Sequence, residues 1–312
     1  MSDSDVAAVR DWLDTVYKDF AASWKQRWNG SHGSPPDRLY HYTTPAGATG
    51  ILTNRVIWAS DARYLNDISE LSYIHTVIAT VAQELSEEFP HGPARTFLDA
   101  ASDRLLEAFT GPYDIYVACF CSCGDLLSQW RSYAAGGLGY ALGFEPEPMR
   151  TDTGLLLRRV TYDPAKQQEL TREVLAFMAS GLAALNAGAT DYGPVAALIE
   201  AGGTLAEAAF CFKHPGFKEE QEWRLVLPVL KGQHPGDSEV QFRETEVGLM
   251  PYVEVRPNGH QPGIDALLAI REVVLGPTRH PDLAEVAARR LLESSGYGDS
   301  VVMRRSKIPL RV

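Results

Sequence analysis

The sequence predicts an α+β fold around a mixed or antiparallel sheet. Three observations carry this. Strand-like runs rich in β-branched and aromatic residues gather near 38–60, 113–162 and 222–255. Helical patterns come in blocks rather than in strict alternation with strands. Of 312 residues, 45% are hydrophobic and 22% charged, a globular balance in a chain long enough to bury a core.

The first helix is predicted over Asp5–Trp28, where Val6, Val9, Leu13, Tyr17, Phe20, Trp24 and Trp28 recur at steps of three or four. Asn29-Gly30 stops it, and GSHGSPPD at Gly30–Asp37 is turn chemistry. Residues 1–37 are thus read as a helical appendage with its linker. Its aromatic face is assigned to core packing, with a contact between copies of the chain or a partner dock as alternatives. The main body, 38–312, opens with strands at Arg38–Tyr42 and Val56–Ser60, separated by a short helix at Pro45–Leu52. Helices follow at Ile68–Phe89 and Pro93–Phe109, then strands at Tyr113–Ser122, Gly139–Phe144 and Leu155–Tyr162. A helical turn, SQWRSYA, lies between the first two of these strands. An Ala- and Leu-rich insertion at about 167–212 reads as two helices broken at Asn186–Tyr192. Strands return at Glu222–Leu230, Val240–Arg243 and Val247–Val255. The chain ends in a strand, a helix and a strand at Glu272–Leu275, Asp282–Ser295 and Val301–Arg305.

Lys plus Arg number 29 and Asp plus Glu 40, for a net charge of −11. That sum disfavours a broad duplex-binding face but leaves room for single-stranded RNA in a cleft near Lys213, Lys218 and Arg224. No run approaches the roughly 18 apolar residues of a membrane helix. MSDSDVAAVRDWL lacks the basic start and apolar run of a secretory signal. Four cysteines are too few for a disulfide scaffold, so a cytoplasmic, reduced protein is expected.

The motifs of Rossmann cofactor binding, P-loops, zinc proteases and α/β-hydrolases do not occur. Cys119, Cys121 and Cys123 fall on every second position of a strand. This spacing points to buried thiols on one face rather than to a zinc knuckle, and no metal is expected. His41 lies on the opposite face from Tyr40 and Tyr42. It suits either a ribose-hydroxyl partner or acid–base group, or a core histidine bonded to a backbone carbonyl. Glu220 and Glu222 are two apart at the mouth of a strand and can share a face. Paired carboxylates split acid–base and charge-stabilising roles, whereas a solvated acidic edge is the plain alternative. Trp58, Ser60, Tyr64 and Asn66, with Gln129–Tyr133, supply aromatic faces and polar groups suited to a nucleotide-like ligand, although each alone fits core packing.

Several of these blocks together resemble a bacterial family of unknown function, DUF2971. They are LYHYTT at Leu39–Thr44, the stretch from ILTNRVIWAS to YLND at Ile51–Asp67, and CFCS with SQWRSYA at Cys119–Ala134. LGYALGFE at Leu138–Glu145, VTYD at Val160–Asp163, KEEQEWRLV at Lys218–Val226 and VVLGP at Val273–Pro277 continue the order. The order of blocks is in turn similar to that of ADP-ribosyltransferases. By that resemblance His41 is the ribose binder, and Tyr64 or Tyr133 the aromatic beside nicotinamide. Glu222 is the catalytic carboxylate, with Glu220 as its upstream partner, and Ser60 or Ser122 fills the middle motif. Tyr42, Thr43, Trp58, Ser60, Asn66, Trp130 and Arg224 complete the implied NAD site. The implied activity is glycosyl transfer from NAD with nicotinamide release to an unidentified protein or nucleic-acid acceptor, in a toxin or phage-defence setting. Two alternatives stand beside it: a non-catalytic nucleotide sensor on the same scaffold, and a hydrolase using Cys123 or His41.

Overall fold

The computed structural model describes residues 19–20, 22–24, 26–27, 33–64, 68–110, 113–151, 155–186, 202–231, 239–245, 248–256 and 267–309. In chain order the strands are β1 (Leu39–Thr43), β2 (Ile57–Asp61), β3 (Tyr113–Cys121), β4 (Tyr140–Phe144), β5 (Leu156–Arg159), β6 (Glu222–Leu230), β7 (Gln241–Thr245), β8 (Gly248–Val255), β9 (Ile270–Leu275) and β10 (Val302–Arg305). The helices are α1 (Pro45–Asn54), α2 (Ile68–Ser86), α3 (Gly92–Thr110), α4 (Leu127–Tyr133), α5 (Glu147–Thr151), α6 (Pro164–Asn186) and α7 (Pro281–Ser294). Residues 202–209 are also helical.

By its contacts the chain divides into two compact units. One comprises Met1–Ser34, Leu65–Asp114 and Thr161–Pro215. Its described part is helical. On α2, Ile74, Val77, Ile78, Val81, Ala82 and Leu85 recur at helical spacing and are buried, as are Ala94, Leu98 and Ala101 on α3 and Leu170, Val174 and Met178 on α6. Trp24 is also buried, and Phe20 stacks on Phe177 with ring centroids 4.1 Å apart. Trp24 is a core residue, in line with the core packing assigned to the aromatic face of the first helix, and Phe20 is partly buried. The helices expected as an insertion share this unit with α2 and α3, which the sequence reading assigns to the main body. Several polar groups inside it are paired. Gln167 donates to the carbonyls of Thr161 (2.6 Å) and Lys213 (3.0 Å) and accepts from the Tyr73 hydroxyl at 2.6 Å. Lys213 lies 3.3 Å from Glu70 in a buried ion pair.

The second unit comprises Pro35–Tyr64, Ile115–Val160 and Gly216–Val312 and holds the sheet. Its order is β10-β9-β4-β1-β3-β2-β8-β7, with β6 pairing both β3 and β5 off this path. The registered pairs are antiparallel except β9 with β10, which α7 connects. A parallel pair needs such a crossover, whereas antiparallel neighbours do not. Thr44 caps α1, accepting from the Gly47 N–H at 3.1 Å with Pro45 next in the chain, and Arg55 closes the helix in the left-handed region at φ 58°. One sheet face buries the core: Leu39, Ile57, Ala59, Tyr116, Ala118, Phe120, Leu142, Phe144, Trp223, Leu225, Val253 and Val273. These are alternate residues of β1, β2, β3, β4, β6, β8 and β9, as the two-residue period of a strand requires, and part of the other face buries a second cluster that includes Tyr42, Cys121, Ala141 and Val274. The expected α+β class with a mostly antiparallel sheet is therefore the observed one.

Candidate functional site

The sheet branches at β3, which has three partners. β1 meets it only at Tyr40↔Cys121, and β2 pairs at Ser60↔Val117 and Asp61↔Tyr116. At the β6 side the Ser122 N–H donates to the Gln221 carbonyl at 3.1 Å. Where a continued β1 ladder would set Tyr42 against Cys119, the His41 side chain takes over. Its Nδ1 lies 2.9 Å from the Cys119 carbonyl oxygen. A carbonyl can only accept, so Nδ1 carries the proton and Nε2 is left as the acceptor. The ring packs 5.7 Å from Phe120, on the core side of the sheet. Burial, reinforced by the positive charge of Arg243, pushes the imidazole below its ordinary value and opposes the raising effect of the Cys119 carbonyl. His41 is thus a neutral histidine bonded to a backbone carbonyl, one of the two arrangements its sequence position suggests.

The opposite face carries most of the other polar candidates. Strand alternation puts Val117, Cys119 and Cys121 there, and Ser60, paired with Val117, shares it. Trp58 lies on the same side two residues earlier. Its indole is 40% exposed and stands 4.4 Å from the Tyr252 ring. Arg243, on the edge strand β7, reaches across β8. Its Nη2 donates to Ser60 Oγ at 2.8 Å, and Cζ stands 5.8 Å from the centroid of Trp58. Tyr252 donates to Gln241 Oε1 at 2.8 Å. Trp58 and Ser60 are therefore brought together, and Arg243 and Tyr252 are partners that the sequence reading did not select.

Glu222 and Arg224 lie on this face too, because the intervening Trp223 belongs to the core side. They form a buried ion pair, with Arg224 Nε 2.8 Å and Nη2 3.2 Å from the two Glu222 oxygens. Such a fork fixes the carboxylate plane and matches its charge. A 3-10 turn at Pro215–Glu220 leads in, and Gln221 then takes φ 48°, a left-handed conformation uncommon for a residue with a side chain. This turn separates a partly exposed Glu220 from a buried Glu222. It also lets Gln221 Oε1 accept from Ser122 Oγ at 2.8 Å. The carboxylates of Glu220 and Glu222 both act on Cys121 electrostatically, which places them near one end of β3.

The remaining candidates divide. Tyr42 is buried, and its hydroxyl donates to the Cys123 carbonyl (2.8 Å) and accepts from the Leu126 N–H (3.0 Å). Trp130 is fully buried, edge-on to Tyr42 at 4.7 Å, with its indole N–H on Asp125 at 2.8 Å. Packing against each other and local hydrogen bonds hold both side chains in place. Tyr133 packs against the same cluster. Thr43 is half-buried at the end of β1, and Tyr64 is half-buried in a 3-10 turn after β2. Asn66 lies outside the described residues. Burial pushes the Cys121 thiol up to about 12, so it is a protonated, packed group. All four cysteines are unbridged.

The fold and site define an α+β protein with a branched, mostly antiparallel sheet and polar side chains gathered around its branching strand. Residues 129–225 match the family model described as a protein of unknown function, DUF2971. The match contains Glu220, Glu222 and Arg224 and leaves out His41, Trp58 and Ser60. Searches of curated proteins and of solved structures give no match. Among the described residues no helix is long and apolar enough to cross a membrane.

Proposed function

We propose that this protein is an NAD-consuming enzyme of the ADP-ribosyltransferase or NAD glycohydrolase type, built on an ADP-ribosyltransferase-like sheet. The observation that carries the proposal is the setting of β3. It is flanked by β1, which brings His41 to the opening of the ladder, and by β6, which brings Glu222 at its head. Trp58 offers an exposed ring beside the hydroxyl of Ser60, in keeping with a planar base and its sugar.

The chemistry needs one carboxylate near the sugar. The nicotinamide–ribose bond breaks with its electron pair leaving on the nicotinamide nitrogen, and positive charge develops at the ribose. Glu222 stabilises that charge, as carboxylates do in glycoside cleavage. Arg224 holds Glu222 in one orientation. Glu220, on the exposed side of the Gln221 turn, takes the proton of the attacking water or acceptor group. His41 contributes by position: its bond to the Cys119 carbonyl holds β1 at the opening of the ladder beside β3. An acceptor protein or nucleic acid belongs to this reading, as does a toxin or phage-defence role.

A second reading, a nucleotide sensor without turnover, draws on the same Glu222–Arg224 pair. A carboxylate already matched by a buried guanidinium has less charge to offer a developing cation. Nicotinamide release from NAD, compared between the wild type and Glu222→Gln, separates the two. Release by the wild type alone fits the enzyme. Thermal stabilisation by NAD without release in either protein fits the sensor.

A further inference from the structure

Several charged groups in this unit are matched: Arg224 with Glu222, Arg304 with Glu272, Arg271 with Glu145 and Arg305 with Asp282. Arg243 differs. Among the described residues its contacts are Ser60 Oγ at 2.8 Å, Met250 Sδ at 3.2 Å and the Trp58 ring, none of them a carboxylate. Its Nε is buried and has no hydrogen-bond partner among the described residues. A guanidinium half-removed from water, with a donor unmet, is an arrangement proteins rarely leave without a counter-charge. Glu254 lies on the same sheet face, opposite Trp58 in the β2–β8 register. Burial pulls the Arg243 guanidinium below its ordinary range, and it stays charged at neutral pH.

What stands beside the unmet donor indicates what would meet it. Ser60 and Met250 engage Nη2, and the donors outside these contacts, Nη1 and the buried Nε, are those an oxyanion would match. Trp58 presents an exposed indole against the same group, so a planar ring attached to that oxyanion has a surface to stack on. A bare carboxylate would use only the first feature. We propose that Arg243, Ser60 and Trp58 form a binding site for a phosphate or diphosphate group carried by a planar ring, as in a nucleotide. The site rests on the reading above in sharing Trp58 and Ser60 with it, and adds Arg243 as the phosphate anchor, whose binding does not depend on cleavage of a glycosidic bond.

The test uses the full chain and three probes: inorganic pyrophosphate, ADP and adenosine, each titrated calorimetrically. The wild type binds pyrophosphate, binds ADP more tightly and binds adenosine weakest. Arg243→Gln loses at least about tenfold in affinity for both phosphate-bearing probes, the loss expected for a charged hydrogen bond. Arg243→Lys, which keeps the charge without the fork, falls between them and guards against a folding defect in the Gln variant. Trp58→Ala loses the advantage of ADP over pyrophosphate while keeping pyrophosphate itself. Absence of pyrophosphate binding in the wild type, or equal binding by wild type and Arg243→Gln, overturns the proposal. Failure of nicotinamide release with these affinities intact would leave the phosphate site standing and remove only the enzymatic reading.

Discussion

The Nδ1 of His41 lies 2.9 Å from the carbonyl oxygen of Cys119, where the β1–β3 ladder opens. This one contact settles the tautomer, satisfies a backbone acceptor that lost its strand partner, and leaves Nε2 to accept. Its consequences can be measured.

The first concerns pH. Burial holds His41 below its ordinary value near 6.5, so the unfolded chain takes up this proton before the folded one does. The stability this contributes is present in full above about pH 6.5 and is lost as pH falls toward the lowered folded value. Thermal melting from pH 7.5 to 5 should therefore show a decline below pH 6.5 that is shallower in His41→Gln. Identical slopes in the two proteins would mean that His41 does not titrate as a buried neutral group.

The second concerns the Glu222–Arg224 pair. Arg224→Met leaves a buried carboxylate without its partner, and the expected cost is about 3–5 kcal/mol. The double variant Glu222→Gln/Arg224→Met should recover much of that loss, because no charge is then stranded. Urea unfolding of the wild type, the singles and the double gives the coupling directly. Additive costs would show that the fork contributes no coupling.

The third separates core from ligand contact. Trp130→Phe removes the indole N–H that Asp125 accepts and should cost about 1–2 kcal/mol of stability. Nucleotide affinity should be unchanged, since the ring is fully buried against Tyr42. A selective loss of ADP binding at unchanged stability would return Trp130 to the ligand.

Much of the sheet was legible because its strands are built from alternating or continuous apolar residues. The opposed faces of His41 and of Tyr40 with Tyr42 follow from the period of two alone. Short elements without a period were not legible: the five-residue helix Glu147–Thr151 and the 3-10 turn Pro215–Glu220. At the site, the Glu222–Arg224 pair could have been anticipated, since residues two apart on a strand share a face and their charges are opposite. Arg243 could not. Its meaning comes from the β7–β8 register with Met250 and from a contact with Ser60, 183 residues away in the chain. Trp130 shows the converse. An aromatic between polar neighbours reads as a ligand platform until Asp125, five residues earlier, is seen to take its N–H.

The most direct test of the central claim quantifies nicotinamide and ADP-ribose after the purified full chain is incubated with NAD, with and without cell lysate as acceptor. Glu222→Gln, first verified as folded and NAD-binding, serves as the comparison. The account predicts nicotinamide from the wild type and at least about a hundredfold less from the variant, as expected when a charge that stabilises the transition state is removed. Equal release from both proteins would contradict the role given to Glu222, and no release from the wild type under either condition would contradict the enzymatic reading itself.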